Sequence, residues 1–350
     1  MSGKLLRLVC SVAMAAGALL VPPPAAAVPG AEPGGRTVAQ QLTDLQRLYR
    51  EAEKATETYN ATAEKLTKQR AEVARLDREL AGARRSLHDS RAAAGRLARQ
   101  QYQGSTEISA YVRLLLARNP QQALDEGHVI GQLARERVEA VGRLTASEKQ
   151  TGELDRAARK ALDEQLALAE RQKKDRDDVQ ARLKDVEKLL TSLTPRQLAA
   201  LGELEEKGTA AAQQRLMASG VLSSARRPSK KGARALGYAV RQLGKPYRWG
   251  AQGPKSYDCS GLTSQAWAKA GRPIPRTSQE QWAQLPRIPL KKLRPGDLVI
   301  YFPEATHVAM YLGEGMVIQA PRTGETVRVS PVASFPILGA VRPDRRPKGT

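Results

Sequence analysis

Two proline-free stretches with a seven-residue rhythm constrain this chain more than any other feature. From Leu42 onward, apolar or small side chains recur at steps of three and four: Leu42, Leu45, Tyr49, Ala52, Thr56, Tyr59, Ala63 and Leu66, then Val73, Leu80 and Leu87. The positions between them are mostly Glu, Lys, Arg and Gln, which favour helix and form i,i+4 pairs. A seam sustained over this many heptads predicts a coiled coil rather than a single surface helix. Gly104-Ser105 ends it, and a short apolar segment runs from Ile108 to Leu116. Asn119-Pro120 pairs a capping residue with a first-turn proline and starts a second long helix to about Leu193. Thr194-Pro195 repeats that signal and opens a third helix to about Ala218. Two long helices joined by a small apolar insertion fit an antiparallel hairpin, and a parallel homodimer would carry the same heptads.

The helical region, 36–218, is flanked by segments of different texture. Lys4 and Arg7 precede an apolar run from Leu8 to Val21, followed by three prolines and Ala25-Ala26-Ala27. The run is shorter than the roughly 20 residues that cross a bilayer. Residues 1–27 therefore read as a cleaved export signal and predict a secreted protein. Residues 219–232 lose all periodicity and read as an exposed linker rich in Ser, Gly and basic residues.

Charge separates the remainder. The chain carries 57 Lys+Arg against 36 Asp+Glu, a net +21. Residues 28–225 hold 33 basic groups against 29 acidic, whereas residues 226–350 hold 22 against 7. The excess thus belongs to the last third and calls for anionic partners, among which export favours wall or membrane anions over nucleic acid. Only two cysteines are present, too few for a disulfide scaffold or a cysteine-rich zinc fold.

From 233 to 342 the pattern becomes α+β. Ala233–Leu243 and Cys259–Ala270 have helical spacing; Asp297–Phe302, His307–Leu312, Met316–Gln319 and Thr326–Val329 have strand character, separated by turn residues. After loss of the signal, Cys259 is the one remaining thiol. It follows a Gly- and Pro-rich loop and starts a helix, where free amides and the helix dipole favour a thiolate and can hold an oxyanion. The last third has one histidine, His307, so a Cys–His pair there can only be Cys259 with His307. Gln319 ends the next strand and can reach the imidazole as an orienting third group. His88 and His128 fall on the helical region and read as solvated.

Four ordered blocks carry a resemblance: Lys245-Pro246-Tyr247-Arg248-Trp249-Gly250, Asp258-Cys259-Ser260-Gly261-Leu262, Arg294-Pro295-Gly296-Asp297-Leu298-Val299 and His307-Val308-Ala309-Met310-Tyr311-Leu312-Gly313. Over about residues 230–342 they resemble the NlpC-type peptidases, papain-like cysteine endopeptidases of peptidoglycan. The resemblance implies Cys259 as nucleophile, His307 as base and Gln319 as orienting residue, where the family commonly has His. It further implies Tyr247 near the scissile bond, and Asp258 and Ser260 lining the groove for the stem peptide. The implied target is the bond between γ-D-glutamyl and a diamino acid, with no metal or organic cofactor. Relatives of this kind often carry a coiled coil that restrains the enzyme or docks it to a membrane division complex. An amidase or acyltransferase on the same fold, or an inactive wall-binding adaptor, are the rival readings.

Overall fold

The computed structural model describes residues 36–104, 112, 115, 120–222 and 226–344. The export signal and nearly all of the apolar insertion at 108–116 lie outside the described residues. Helix α1 runs Val38–Gly104, α2 Pro120–Thr191 and α3 Pro195–Ala218. At the start of α3, Thr194 and Gln197 form a reciprocal capping box with Pro195 in the first turn, as the Thr-Pro signal predicts. No helix among the described residues is long and apolar enough to cross a membrane.

The chain divides into two compact units. Residues 65–170 form one of them. Its core is a thin seam of Leu76 and Leu80 against Ala158 and Ala161, flanked by Val73 and Leu154. Ion pairs Arg84–Asp155 (2.9 Å) and Arg91–Glu148 (3.0 Å) show α1 and α2 antiparallel within one chain. Leucines of α1 meet alanines of α2, so large side chains face small ones across the seam.

The second unit joins residues up to 64 with residues 171–350. Here α1 and α2 are paired by Thr62–Asp175 (2.6 Å) and Arg182–Glu51 (2.9 Å). The remainder is an α+β domain. Helix α4 spans Lys230–Val240, α5 Cys259–Lys269 and α6 Ser278–Gln284. Six strands, β1 Arg287–Ile288, β2 Leu298–Tyr301, β3 His307–Gly313, β4 Met316–Gln319, β5 Arg328–Pro331 and β6 Ile337–Val341, form one antiparallel sheet in the order β1-β6-β2-β3-β4-β5. Helix α4 begins within the expected linker because Ser229 accepts a hydrogen bond from Gly232 and caps it. Strands β1 and β6 and helix α6 are additions to the sequence reading.

Both faces of the sheet are covered. One meets α4 and α5 through Leu298, Ile300, Val308, Met310 and Ile318 against Ala235, Ala239, Leu262, Ala266 and Trp267. The other carries Val299, Tyr301, Ala309, Tyr311 and Val317, with Leu216 of α3 packed against them. This is why β2 and β3 read as continuous apolar runs rather than alternating ones.

Candidate active site

Helix α5 starts on the candidate nucleophile because Asp258 caps it. The Asp258 carboxylate accepts a hydrogen bond from the Gly261 amide at 2.6 Å, leaving Cys259 as the first helical residue. Gly261 is required there: a Cβ would collide with the Ala251 carbonyl oxygen of the preceding loop. Asp258 is fully buried and is neutralised by Arg276, 2.6 Å away and itself buried. The same guanidinium donates to Ser260 Oγ at 2.8 Å. Arg276 thus fixes both neighbours of the cysteine, and sequence reasoning missed it.

Strand β3 starts on His307, next to α5. His307 Nε2 lies 2.7 Å from Gln319 Oε1, and both residues are buried. With that oxygen accepting the Nε2 proton, Nδ1 is left free for chemistry. The register of β3 and β4, Met310 opposite Ile318 and Tyr311 opposite Val317, brings Gln319 beside the ring. The amide nitrogen of Gln319 has no hydrogen-bond partner among the described residues. Tyr247 is also buried, and its hydroxyl is pushed well above its ordinary pKa by burial and then by the nearby Cys259. The structure therefore gathers all six sequence-derived residues, Cys259, His307, Gln319, Tyr247, Asp258 and Ser260, around one buried centre.

That centre is covered by α1. Glu53, Glu57 and Asn60, spaced i, i+4 and i+7, form one helix face that is buried despite being polar. Glu57 Oε1 accepts from Ser260 Oγ at 2.7 Å and lies 3.7 Å from Cys259 Sγ. Its second oxygen accepts from the Ser278 amide at 2.8 Å. Asn60 donates to Asp258 at 3.2 Å. Glu53 Oε1 is 3.4 Å from His307 Nδ1, an ion-pair distance without hydrogen-bond alignment. Tyr59 stacks edge-on against Trp249 with centroids 5.1 Å apart. Only 3% of Cys259 and none of His307 is exposed.

The electrostatics correct one expectation. Helix α5 alone should favour a thiolate, yet the Cys259 pKa is raised well above its ordinary value. Burial is the main cause, followed by the charges of Glu57, Asp258 and Glu53, with only a Val308 backbone hydrogen bond pulling it down. For His307, burial opposes protonation, but the nearby Glu53 carboxylate and the hydrogen bond to Gln319 raise the pKa overall. Burial pushes the Glu57 carboxyl up to about 7, with help from Asp258. Glu53, Glu57 and Asn60 gave no sequence signal, since polar residues on a coiled coil read as a solvated face.

Further contacts hold the helical segments of this unit on the α+β domain. Arg322 makes a two-pronged pair with Glu205 of α3, both bonds 2.9 Å, and lies over the Tyr49 ring at 4.6 Å. The Gln213 side chain donates to the Gly315 carbonyl (3.0 Å) and accepts from the Ala333 amide (3.1 Å).

Helices packed on an antiparallel sheet, with a cysteine opening the central helix and a histidine opening the neighbouring strand, define the class. Residues 244–337 match the NlpC/P60 family, and the C-terminal part of this chain is an NlpC/P60 domain. A probable endopeptidase of Corynebacterium glutamicum is 41% identical over 116 residues, 33% of this chain and 56% of that protein. The probable endopeptidase p60 of Listeria welshimeri is 46% identical over 88 residues, 25% of this chain and 17% of that one. The chain thus spans about half the length, or less, of these curated relatives. Among solved structures, RipD of Mycobacterium tuberculosis, described as a non-catalytic NlpC/p60 domain protein adapted to peptidoglycan binding, is 30% identical. That match covers 33% of this chain and 98% of RipD, with a TM-score of 0.30.

Proposed function

We infer that this protein is a secreted cysteine endopeptidase of peptidoglycan stem peptides, held shut by its own first helix. What carries the reading is the triad geometry: Cys259 at a capped helix start, and His307 beside it with Nε2 held 2.7 Å from Gln319. Once α1 moves away, His307 Nδ1 takes the thiol proton. The thiolate attacks the peptide carbonyl and expels the amine, which His307 protonates. Water then cleaves the acyl-enzyme. Helix-start amides at Cys259 stabilise the oxyanion. The bond favoured is γ-D-glutamyl–diamino acid, in keeping with the family resemblance and with relatives named probable endopeptidases. The restraint reading is supported by Glu53, Glu57 and Asn60 occupying the centre.

Mass analysis of purified muropeptides tests both parts. Glu53→Ala/Glu57→Ala should release a free diamino-acid amine faster than the parent chain. Adding Cys259→Ala or His307→Ala should abolish the product. A cut at the sugar–L-alanine bond would replace the endopeptidase with an amidase, and product formation without Cys259 would remove the site. No product from any variant would leave a wall-binding module of the kind RipD is described to be.

A further inference from the structure

The outer side of α4 forms a cationic stripe that the catalytic reading does not use. Lys230, Arg234, Gly237 and Arg241 stand at i, i+4, i+7 and i+11, which at 100° per residue puts them on nearly one line down the helix. Lys230, Arg234 and Arg241 are exposed. Between Arg234 and Arg241 lies a depression of about 380 Å³ lined by Ala233, Arg234, Gly237, Tyr238, Arg241 and Lys269. Ala233 and Gly237 add little side-chain bulk to the lining, and Lys269 comes from the last turn of α5.

No acid offsets this face from within its own stretch of chain. There is no Asp or Glu between Glu206 and Asp258, and none between Asp258 and Glu280. Asp258 is buried and spoken for by Arg276. Among the described residues no ion pair engages Arg234, Arg241 or Lys269. Favourable placement at helix C-termini accounts for cations at Arg241 and Lys269. It does not account for Arg234 in mid-helix, nor for the acid-free 207–257 segment.

We propose that this face binds a phosphodiester-linked anionic polymer of the cell wall. Arginine forks match tetrahedral phosphate oxygens, and two of them stand about 10 Å apart along the helix, suited to a chain with recurring charges. Lys269 and Cys259 are the two ends of α5, roughly 15 Å apart. A polymer seated on the stripe therefore holds the cleft against neighbouring stem peptides without entering it. The proposal rests on the wall-hydrolase reading for the identity of the polymer, and on the face itself for its chemistry.

The test uses the full chain carrying Cys259→Ala, so that the wall is not digested, in pelleting assays with insoluble sacculi. Binding to intact sacculi should weaken at least tenfold at high salt and at least tenfold in Arg234→Glu/Arg241→Glu/Lys269→Glu. Sacculi stripped of phosphodiester-linked polymers with hydrofluoric acid should bind the parent as poorly as intact sacculi bind the triple variant. Lys149→Glu/Lys160→Glu/Lys174→Glu, the same charge change on exposed sites of α2, should bind as the parent does. Equal binding by the α4–α5 variant, equal binding to stripped sacculi, or equal loss in the α2 variant would overturn the proposal. Duplex DNA binding as tight as wall binding, through the same three residues, would overturn the wall polymer as occupant. Muropeptide hydrolysis by the chain with Cys259 intact reports on the enzyme reading separately, so either can fail alone.

Discussion

Closure of α1 over the centre should be proton-linked through Glu57, and the size of the effect follows from its surroundings. The carboxyl faces Asp258, which caps α5, Cys259 and Ser260 on α5, Arg276 and Ser278 beyond it, Glu53 on its own helix and His307 on β3. Burial, then Asp258, raises its pKa from 4.5 to about 7, against the opposing pull of Ser260, Arg276 and the Ser278 amide. With α1 released, the carboxyl is solvated and returns to its ordinary value. The closed form therefore holds a proton between pH 4.5 and 7 that the open form has lost. Closure is strongest below 4.5 and weakens as pH rises, levelling off above about 7. At 1.36 kcal/mol per unit, the full swing is about 3 kcal/mol. Between pH 5 and 7.5 the opening constant should rise about fiftyfold. The assay is alkylation of Cys259 by neutral iodoacetamide, in the full chain and in Glu57→Gln, whose amide stands in for the protonated acid. When reaction proceeds through the open form, thiol chemistry is common to both chains and cancels in the ratio of rates. That ratio should climb about sevenfold per unit through pH 5–6.5 and flatten above 7. A ratio independent of pH would refute the linkage, and a falling ratio would reverse its sign.

Other outcomes follow from individual contacts. In a chain opened by Glu53→Ala/Glu57→Ala, Gln319→Ala should lower kcat roughly 10- to 100-fold, since the imidazole loses the acceptor that sets its tautomer; unchanged kcat would assign that role elsewhere. Arg276→Ala leaves Asp258 charged and buried without a partner, and should destabilise the α+β domain by about 3–5 kcal/mol in denaturant unfolding. A loss below 1 kcal/mol would show that Asp258 is reached by water. Arg322→Ala removes the Glu205 pair and the Tyr49 contact, and should raise Cys259 alkylation several-fold without altering kcat in the opened chain. No change in alkylation would take this pair out of the closure.

What the sequence could disclose was set by local chemistry. Thr194-Pro195 and Asp258-Cys259 announce helix starts because a cap and its helix are neighbours in the chain. His307 and Gln319 were legible because each sits at the end of a short apolar strand. Strand β6 was not, because Gly339 interrupts it. The Trp282 ring packs so closely there that a Cβ would lie 2.7 Å away, a reason visible only in the packed sheet. Arg276 is one basic residue among many until its buried partner is known. The buried face of α1 was hidden most completely: Glu53, Glu57 and Asn60 meet partners about 200 to 250 positions further along.

Carboxylates on that face do something an apolar plug could not. An apolar side chain over the centre would exclude water and substrate while leaving the thiol and imidazole free to exchange a proton. Glu53 beside His307 favours the imidazolium, and Glu57 beside Cys259 disfavours the thiolate. The closed centre thus tends to keep a proton on both partners: the base is already occupied, and the nucleophile stays neutral. The same arrangement limits its own strength. Glu57 is buried against Asp258, so its three hydrogen-bond contacts work against desolvation and like-charge repulsion. In the proposed function, a lock built from opposed terms of this kind holds the nucleophile and the base apart from substrate while it is shut. Its proton-linked part is about 3 kcal/mol, a size that differential binding of α1 to another surface can offset.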